Sequence, residues 1–271
     1  MKKIYALVIA AAVILTGCTK NYDGPGKLVV KLTDDPFNIS FVESATVTFT
    51  KIEVRKAGDA DGNPFIVVSE DTITIDLLKL RNGVTKALPE IELPQGSYDL
   101  VRLYIDEAGL KLKGHPAGFR VKVPGGRQTG IKIFISPAIR VEGGLTSELL
   151  LDFDLDKSFV MRGNLEHSAG VNGFIFKPCI RAVNNSTAGR IEGMVTDTLK
   201  VKIKEAKLWI KQDTIMATAF GDTLGHYAFI GVPAGTYSVF ATKTGYDTVS
   251  YTGVRVVEAN RTLVNFVLRK K

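Results

Sequence analysis

The chain has 271 residues, 45% of them hydrophobic, and a formal charge of +7 at pH 7. That length and apolar content suffice for one or two buried cores. The 35 Lys and Arg are interspersed with 28 Asp and Glu, and the only dense basic run is Arg269-Lys270-Lys271, which argues against nucleic acid as a partner and leaves an anionic envelope as a plausible neighbour.

Lys2 and Lys3 precede an apolar stretch, residues 4–15, that is too short to span a hydrocarbon core of about 30 Å, so a cleaved export signal fits better than a membrane helix. The stretch ends in Leu15-Thr16-Gly17-Cys18, which resembles a bacterial lipobox. The resemblance implies cleavage before Cys18 and acylation of its thiol and new amino terminus. Each buried methylene then contributes roughly 0.8 kcal/mol of anchoring, so the mature chain is expected to be held by lipid at the outer membrane, on its periplasmic face or at the cell surface. An ordinary secretory signal with a coincidental cysteine is the alternative. Loss of residues 1–17 removes Lys2 and Lys3 and takes the formal charge from +7 to +5. Once Cys18 is acylated, only Cys179 remains, which leaves no intramolecular disulfide; it is expected to be a structural thiol.

Residues 18–26 are polar and rich in turn formers and read as a lipidated tether. Short β-rich runs follow at 28–32, 45–54, 72–75, 98–105, 119–123, 131–135, 149–153 and 174–180, punctuated by Gly and Pro, with at most one helical turn at 76–81. Apolar parity switches within 45–54, from Val47 and Phe49 to Ile52 and Val54, and predicts a bulge at Thr50. The Asn- and Ser-containing stretch 184–189 reads as a linker between a domain at 27–183 and another at 190–271. The second domain carries seven further runs, the strand count of a small sandwich. The expected fold class is all-β, two antiparallel β-sandwich domains in tandem behind a lipoprotein signal peptide.

Gly193-Met-Val-Thr-Asp197, Ala206-Lys-Leu-Trp-Ile210, Gly225-His-Tyr-Ala-Phe229, Val232-Pro-Ala-Gly-Thr-Tyr237, Lys243-Thr-Gly-Tyr246 and Asn265-Phe-Val-Leu268 resemble the carboxypeptidase regulatory-like domain. That resemblance implies a transthyretin-type sandwich that serves as a non-catalytic accessory. Leu32-Thr-Asp-Asp-Pro36, Thr50-Lys-Ile-Glu-Val54, Ile75-Asp-Leu-Leu-Lys-Leu80, Leu93-Pro-Gln-Gly-Ser-Tyr98, Val123-Pro-Gly-Gly-Arg-Gln-Thr-Gly-Ile131, Leu151-Asp-Phe-Asp154 and Phe176-Lys-Pro178 resemble domain of unknown function 4382, a lipoprotein family without an assigned activity.

Catalytic motifs are sparse. His115, His167 and His226 stand alone, with no second histidine at metal-ligand spacing. No Gly-x-Ser-x-Gly occurs, and residues 125–130 lack the lysine of a phosphate loop and read as a hairpin. Asp152, Asp154 and Asp156 alternate with apolar residues, so a strand would align their carboxylates; with Asp34 and Asp35 they form a candidate Ca²⁺ site. Turn capping and pairing with lysines is the plainer reading. No other cofactor is expected. Trp209 shares a face with Lys207 and Lys211 and is a candidate for stacking on a sugar, or for packing on a neighbouring strand or domain.

Asp-Thr-aliphatic recurs at Thr72, Thr198, Thr214, Thr223 and Thr248. It resembles an O-glycosylation acceptor of exported proteins, and turn-to-strand junctions explain its positions equally well. The function expected is a non-catalytic binding or adhesion lipoprotein whose partner is a glycan or an envelope protein. A pilin-like assembly subunit, with residues 28–32 as a removable first strand that leaves a groove for a donor strand, is the second reading, and a hydrolase using Asp152 and Asp154 the third.

Overall fold

The structure, a computed structural model, describes residues 24–35, 42–59, 64–115, 117–163 and 171–271. Cys18, His167 and the side chain of Asp35 lie outside the described residues.

The first domain contains β1 (Gly26–Asp35), β2 (Val42–Lys56), β3 (Phe65–Ser69), β4 (Ile73–Asp76), β5 (Lys86–Ala87), β6 (Ile91–Leu93) and β7 (Gly96–Leu112). It continues with β8 (Phe119–Lys122), β9 (Ile131–Val141), β10 (Thr146–Asp154), β11 (Phe159–Gly163), β12 (Val171–Phe176) and β13 (Ile180–Asn184). A 3-10 turn, Leu77–Leu80, follows β4, and a one-turn helix α1, Leu155–Ser158, follows β10. The main sheet runs β3-β2-β7-β9-β13-β10-β1-β5, with β4, β6 and β8 attached to β2, β1 and β7. It folds over on itself. Phe49 on β2 and Phe153 on β10, four places apart in that order, meet edge to face with centroids 5.8 Å apart, in a core that also holds Leu28, Leu32, Tyr98 and Leu103. One continuous sheet therefore supplies both layers of the sandwich.

The parity switch in β2 has the expected cause. Phe49 pairs with Ile105 and Lys51 with Tyr104, while Thr50 has no partner, and burial passes from Ala45, Val47 and Phe49 to Ile52 and Val54 across that bulge. Most pairing is antiparallel, but β1 runs parallel to β10 and β9 to β13. Those partners are far apart in sequence, so no tight turn dictates their direction. Residues 125–130 do not form the expected hairpin. β8 pairs with 107–110 of β7 and β9 with 96–103, so the two strands lie end to end along one edge and the glycine-rich segment is a loop between them. It is tied down where Ile105 donates its amide to Gly126 at 3.1 Å.

The second domain is a sandwich of two four-stranded sheets. Its strands are β14 (Gly189–Asp197), β15 (Lys207–Lys211), β16 (Ile215–Phe220), β17 (His226–Val232), β18 (Gly235–Thr242), β19 (Val249–Val256), β20 (Arg261–Leu263) and β21 (Phe266–Leu268). One sheet runs β17-β14-β20 with β21 also on β14, and the other runs β16-β15-β18-β19. Ile191, Leu208, Ile210, Val239 and Phe266 fill the space between them. Gly193 is required there: a Cβ at that position would sit 1.9 Å from the Val264 carbonyl oxygen.

Both domains close a strand entrance in the same way. The Tyr98 hydroxyl donates to Pro94 O at 2.9 Å and the Tyr237 hydroxyl to Pro233 O at 2.8 Å, each across a Pro-x-Gly-Ser/Thr-Tyr segment. Residues 184–189 are not a bare linker. Asn185 donates its backbone amide to Glu148 O, and Ala188 is buried with Leu150 and Val183 against Ile230 of the second domain. No helix among the described residues is long and apolar enough to cross a membrane.

Candidate functional site

The sequence places five acidic residues in one candidate constellation; of the four whose side chains are described, only Asp34 and Asp152 border a common gap. Asp152 is 8% exposed; its Oδ2 accepts from Arg181 Nη2 at 2.6 Å. Burial pushes its carboxyl up, and the guanidinium offsets only part of that. The other guanidinium nitrogen, Nη1, donates to Gly231 O at 3.2 Å, so Arg181 links the two domains. Strand geometry ends at Asp154. Its side chain caps α1 by accepting from Lys157 N at 3.0 Å and pairs with Lys157 Nζ at 2.6 Å. Asp156 then lies inside the helical turn and is exposed rather than aligned with Asp152. Asp34, 3% exposed, continues the buried alternation of Leu28, Val30 and Leu32. Asp34 and Asp152 do border one small interdomain gap, of about 20 Å³, but Arg181 borders it too, and its fixed positive charge opposes a cation there. No group of three or more Asp, Glu, His or Cys positioned to hold a metal occurs among the described residues.

A cleft of about 1460 Å³ lies between the domains. Its floor is the outer face of the β16-β15-β18 sheet, where Phe220, Lys207 and Thr242 stand in register across three strands. Alternation puts these side chains outside because Leu208, Ala219 and Ala241 between them fill the core. The segments around Lys204, Asp222 and Thr244 rise at the sides. Leu78, Arg81, Asn82 and Asp156 of the first domain face the floor. Six cations line this cleft, Lys79, Arg81, Lys204, Lys207, Lys243 and Lys271, against three acids, Asp156, Glu205 and Asp222. Lys243 pairs with Glu205 at 3.6 Å.

Trp209 stands one row along the same face and is half-buried. It pairs in register with Phe240, and the two rings stack with centroids 5.0 Å apart and planes within 1°. One indole face is thus covered by a neighbouring strand, as the packing alternative expects. Cys179 is exposed, and its backbone joins β13 to α1: its amide donates to Ser158 Oγ at 2.9 Å and its carbonyl accepts from Asp154 N.

Thr72, Thr198, Thr214, Thr223 and Thr248 are all exposed. Two of their aspartates have a clear local task. Asp197 Oδ1 accepts from Leu199 N and Val201 N, and Asp222 Oδ1 accepts from Leu224 N and His226 N, every distance being 2.8 Å. In both turns the fourth residue is left-handed, Lys200 at φ 63° and Gly225 at φ 75°. These are the same turn built twice, with threonine at the exposed second position.

Sequence reasoning missed the cleft, because its lining comes from distant segments of both domains. At Asp154 the cap of α1 and the pair with Lys157 have the form of the plainer reading, turn capping and pairing with a lysine.

The family model for Domain of unknown function (DUF4382) matches residues 25–178, and that for Carboxypeptidase regulatory-like domain matches residues 190–269. No curated protein matches the chain. Among solved structures, the chain is similar to BcpA, the major pilin subunit of Bacillus cereus, at 14% identity over 91% of this chain and 71% of that one, with a TM-score of 0.28. It is similar to shaft pilin SpaA from Lactobacillus rhamnosus GG at 10% identity over 91% and 98%, with a TM-score of 0.26. It is similar to the Bacillus anthracis TIE protein at 15% identity over 91% of this chain, with a TM-score of 0.25, and spans 34% of that protein.

Proposed function

We propose a function for this chain, which belongs to the DUF4382 family of domains of unknown function: it is a lipid-anchored outer-membrane protein that binds a glycan without catalysis. The observation that carries this reading is the interdomain cleft, where Lys207, Thr218, Phe220 and Thr242 project from the outer face of a sheet and further hydroxyl, aromatic and charged groups come from the segments beside it. The carboxylates considered for hydrolysis support it as well. Asp152 is tied to Arg181 and Asp154 to the start of α1, and the two do not face each other across a cleft as an acid and base would.

Anchorage rests on the lipobox-like segment at Cys18. Replacement of Cys18 by Ser is expected to move the protein from the membrane to the soluble fraction and to abolish uptake of a fatty-acid analogue. A wild-type protein that takes up no label and fractionates as soluble would end this part of the proposal. Modification at the Asp-Thr-aliphatic sites is the accompanying proposal, supported by solvent access at all five threonines. Binding itself is tested on an array of neutral and acidic oligosaccharides, with retention of at least one expected and retention of none counting against it.

Removal of residues 28–32 to open a groove for a donor strand is not favoured. β1 is paired on both sides, with β10 and with β5 and β6, and its Leu28, Val30 and Leu32 are fully buried.

A further inference from the structure

We infer that the interdomain cleft selects acidic glycans, so that its ligand is a saccharide bearing carboxylate or comparable anionic groups. This rests on the glycan-binding reading and narrows it to one ligand chemistry and one site.

The charge at the cleft is lopsided. Its six cations face three acids, and two of those acids are held: Glu205 pairs with Lys243, and Asp222 accepts two amides within its own turn. Lys79, Lys204, Lys207 and Lys271 are solvent-exposed, so each keeps an accessible ammonium. Arg81 donates through Nε to Leu78 O at 2.7 Å, which fixes the orientation of its guanidinium at the rim. The cations come from both domains, Lys79 and Arg81 on one side and Lys204 and Lys207 on the other, so a bound anion is clamped across the gap rather than resting on one surface. A concave site of one sign concentrates field and raises the local concentration of the opposite charge.

The remaining groups suit a sugar. Thr218, Thr223, Thr242 and Thr244 bring hydroxyls to the cleft, and Phe220 and Tyr246 bring aromatic surface for the apolar face of a pyranose. A volume of about 1460 Å³ exceeds the few hundred to about 1,000 Å³ of ordinary small-molecule sites and suits several sugar units. An extended peptide fits less well. The floor is a sheet face whose backbone groups already pair β15 with β16 and β18, so no strand can be added there.

Trp209 provides the readout. It is the chain's only tryptophan and lies two residues along β15 from Lys207, roughly 7 Å away along the strand. Full-length protein in detergent is titrated with hexagalacturonate and with its methyl ester, which keeps the backbone and removes the charge, while Trp209 fluorescence is followed. The acid is expected to bind at least about ten-fold more tightly than the ester, as loss of one or two charge-assisted contacts implies, and its affinity is expected to fall as salt rises. The pair Arg81→Gln with Lys207→Gln is expected to erase most of that difference. Lys132→Gln, an exposed cation on β9, is expected to change nothing and controls for total charge. Equal affinity for acid and ester overturns the inference while leaving a glycan-binding role in place. Absence of binding to both, or binding of the acid that the double variant does not weaken, also overturns it. New reducing ends released from hexagalacturonate would instead overturn the non-catalytic reading.

Discussion

Arg181 is the partner of Asp152 across the β10–β13 pair, and the same guanidinium reaches the Gly231 carbonyl of the second domain. Removing it leaves a carboxylate buried without its counter-ion. Arg181→Met is therefore expected to destabilise the protein by about 3 kcal/mol at pH 7, and adding Asp152→Leu to recover most of that loss. The pH dependence has a definite sign. Without Arg181 the folded-state pKa of Asp152 rises further, the folded state holds a proton more tightly than the unfolded chain, and the defect shrinks as pH falls toward the unfolded value near 4. Urea melts at pH 7 and pH 4 check both statements.

The twin turns at Asp197 and Asp222 separate a folding role from a modification role. Asp197→Ala and Asp222→Ala each remove two amide hydrogen bonds and are expected to destabilise by about 1 kcal/mol in protein from any host. Thr198→Ala and Thr223→Ala touch exposed side chains and are expected to shift stability by no more than about 0.5 kcal/mol in unmodified protein. If the threonines are acceptors, intact mass from the native host exceeds that from a host lacking the pathway, and the excess falls with each Thr→Ala. Equal masses would leave the turns as the whole explanation.

Tyr98→Phe and Tyr237→Phe remove matching hydroxyls. Each phenol is buried enough for desolvation to raise its pKa, and each leaves one proline carbonyl short of a partner. A loss of about 1 kcal/mol is expected at each site, additive in the double variant because the sites lie in separate cores. Calorimetry reads this directly.

Glu53, with its side chain 2% exposed, sits between Lys51 Nζ at 2.6 Å and Arg102 Nε at 2.6 Å. Burial pushes its carboxyl up, but the hydrogen bonds from Lys51 and Arg102 outweigh that and hold it below the usual range. Its stabilisation is present above the unfolded pKa near 4.3 and is lost as pH falls through the lower folded value. Glu53→Gln is expected to destabilise at pH 7 and to flatten the acid limb of a stability-against-pH curve. An unchanged acid limb would refute it.

Features governed by local chemistry were legible from the residues. The bulge at Thr50 follows from apolar parity, and the single turn at Leu77–Leu80 from an aspartate before a short apolar run. The alignment of Asp152, Asp154 and Asp156 failed because it assumed that one strand continued past Asp154, whose side chain instead starts a helix. Segment 125–130 differs from the expected hairpin for another reason: a hairpin and a loop between end-to-end strands share the same turn residues, and only pairing with β7 distinguishes them. The cleft needed the longest-range knowledge, namely that 78–84 lies across from the outer face of β15. Nothing in either segment names the other.

The parallel pairing of β1 with β10 also sets where the second domain stands. Lys27 lies opposite Thr146, and Leu149, three residues further along β10, lies opposite Asn184 at the end of β13. The chain therefore begins its first strand and leaves its first domain at the same end of the sheet, two strand spacings and a few residues apart, or roughly 15 Å. The point where the chain enters β1 and the point where it passes to the second domain are thus neighbours on one end of the sheet, with β10 between them.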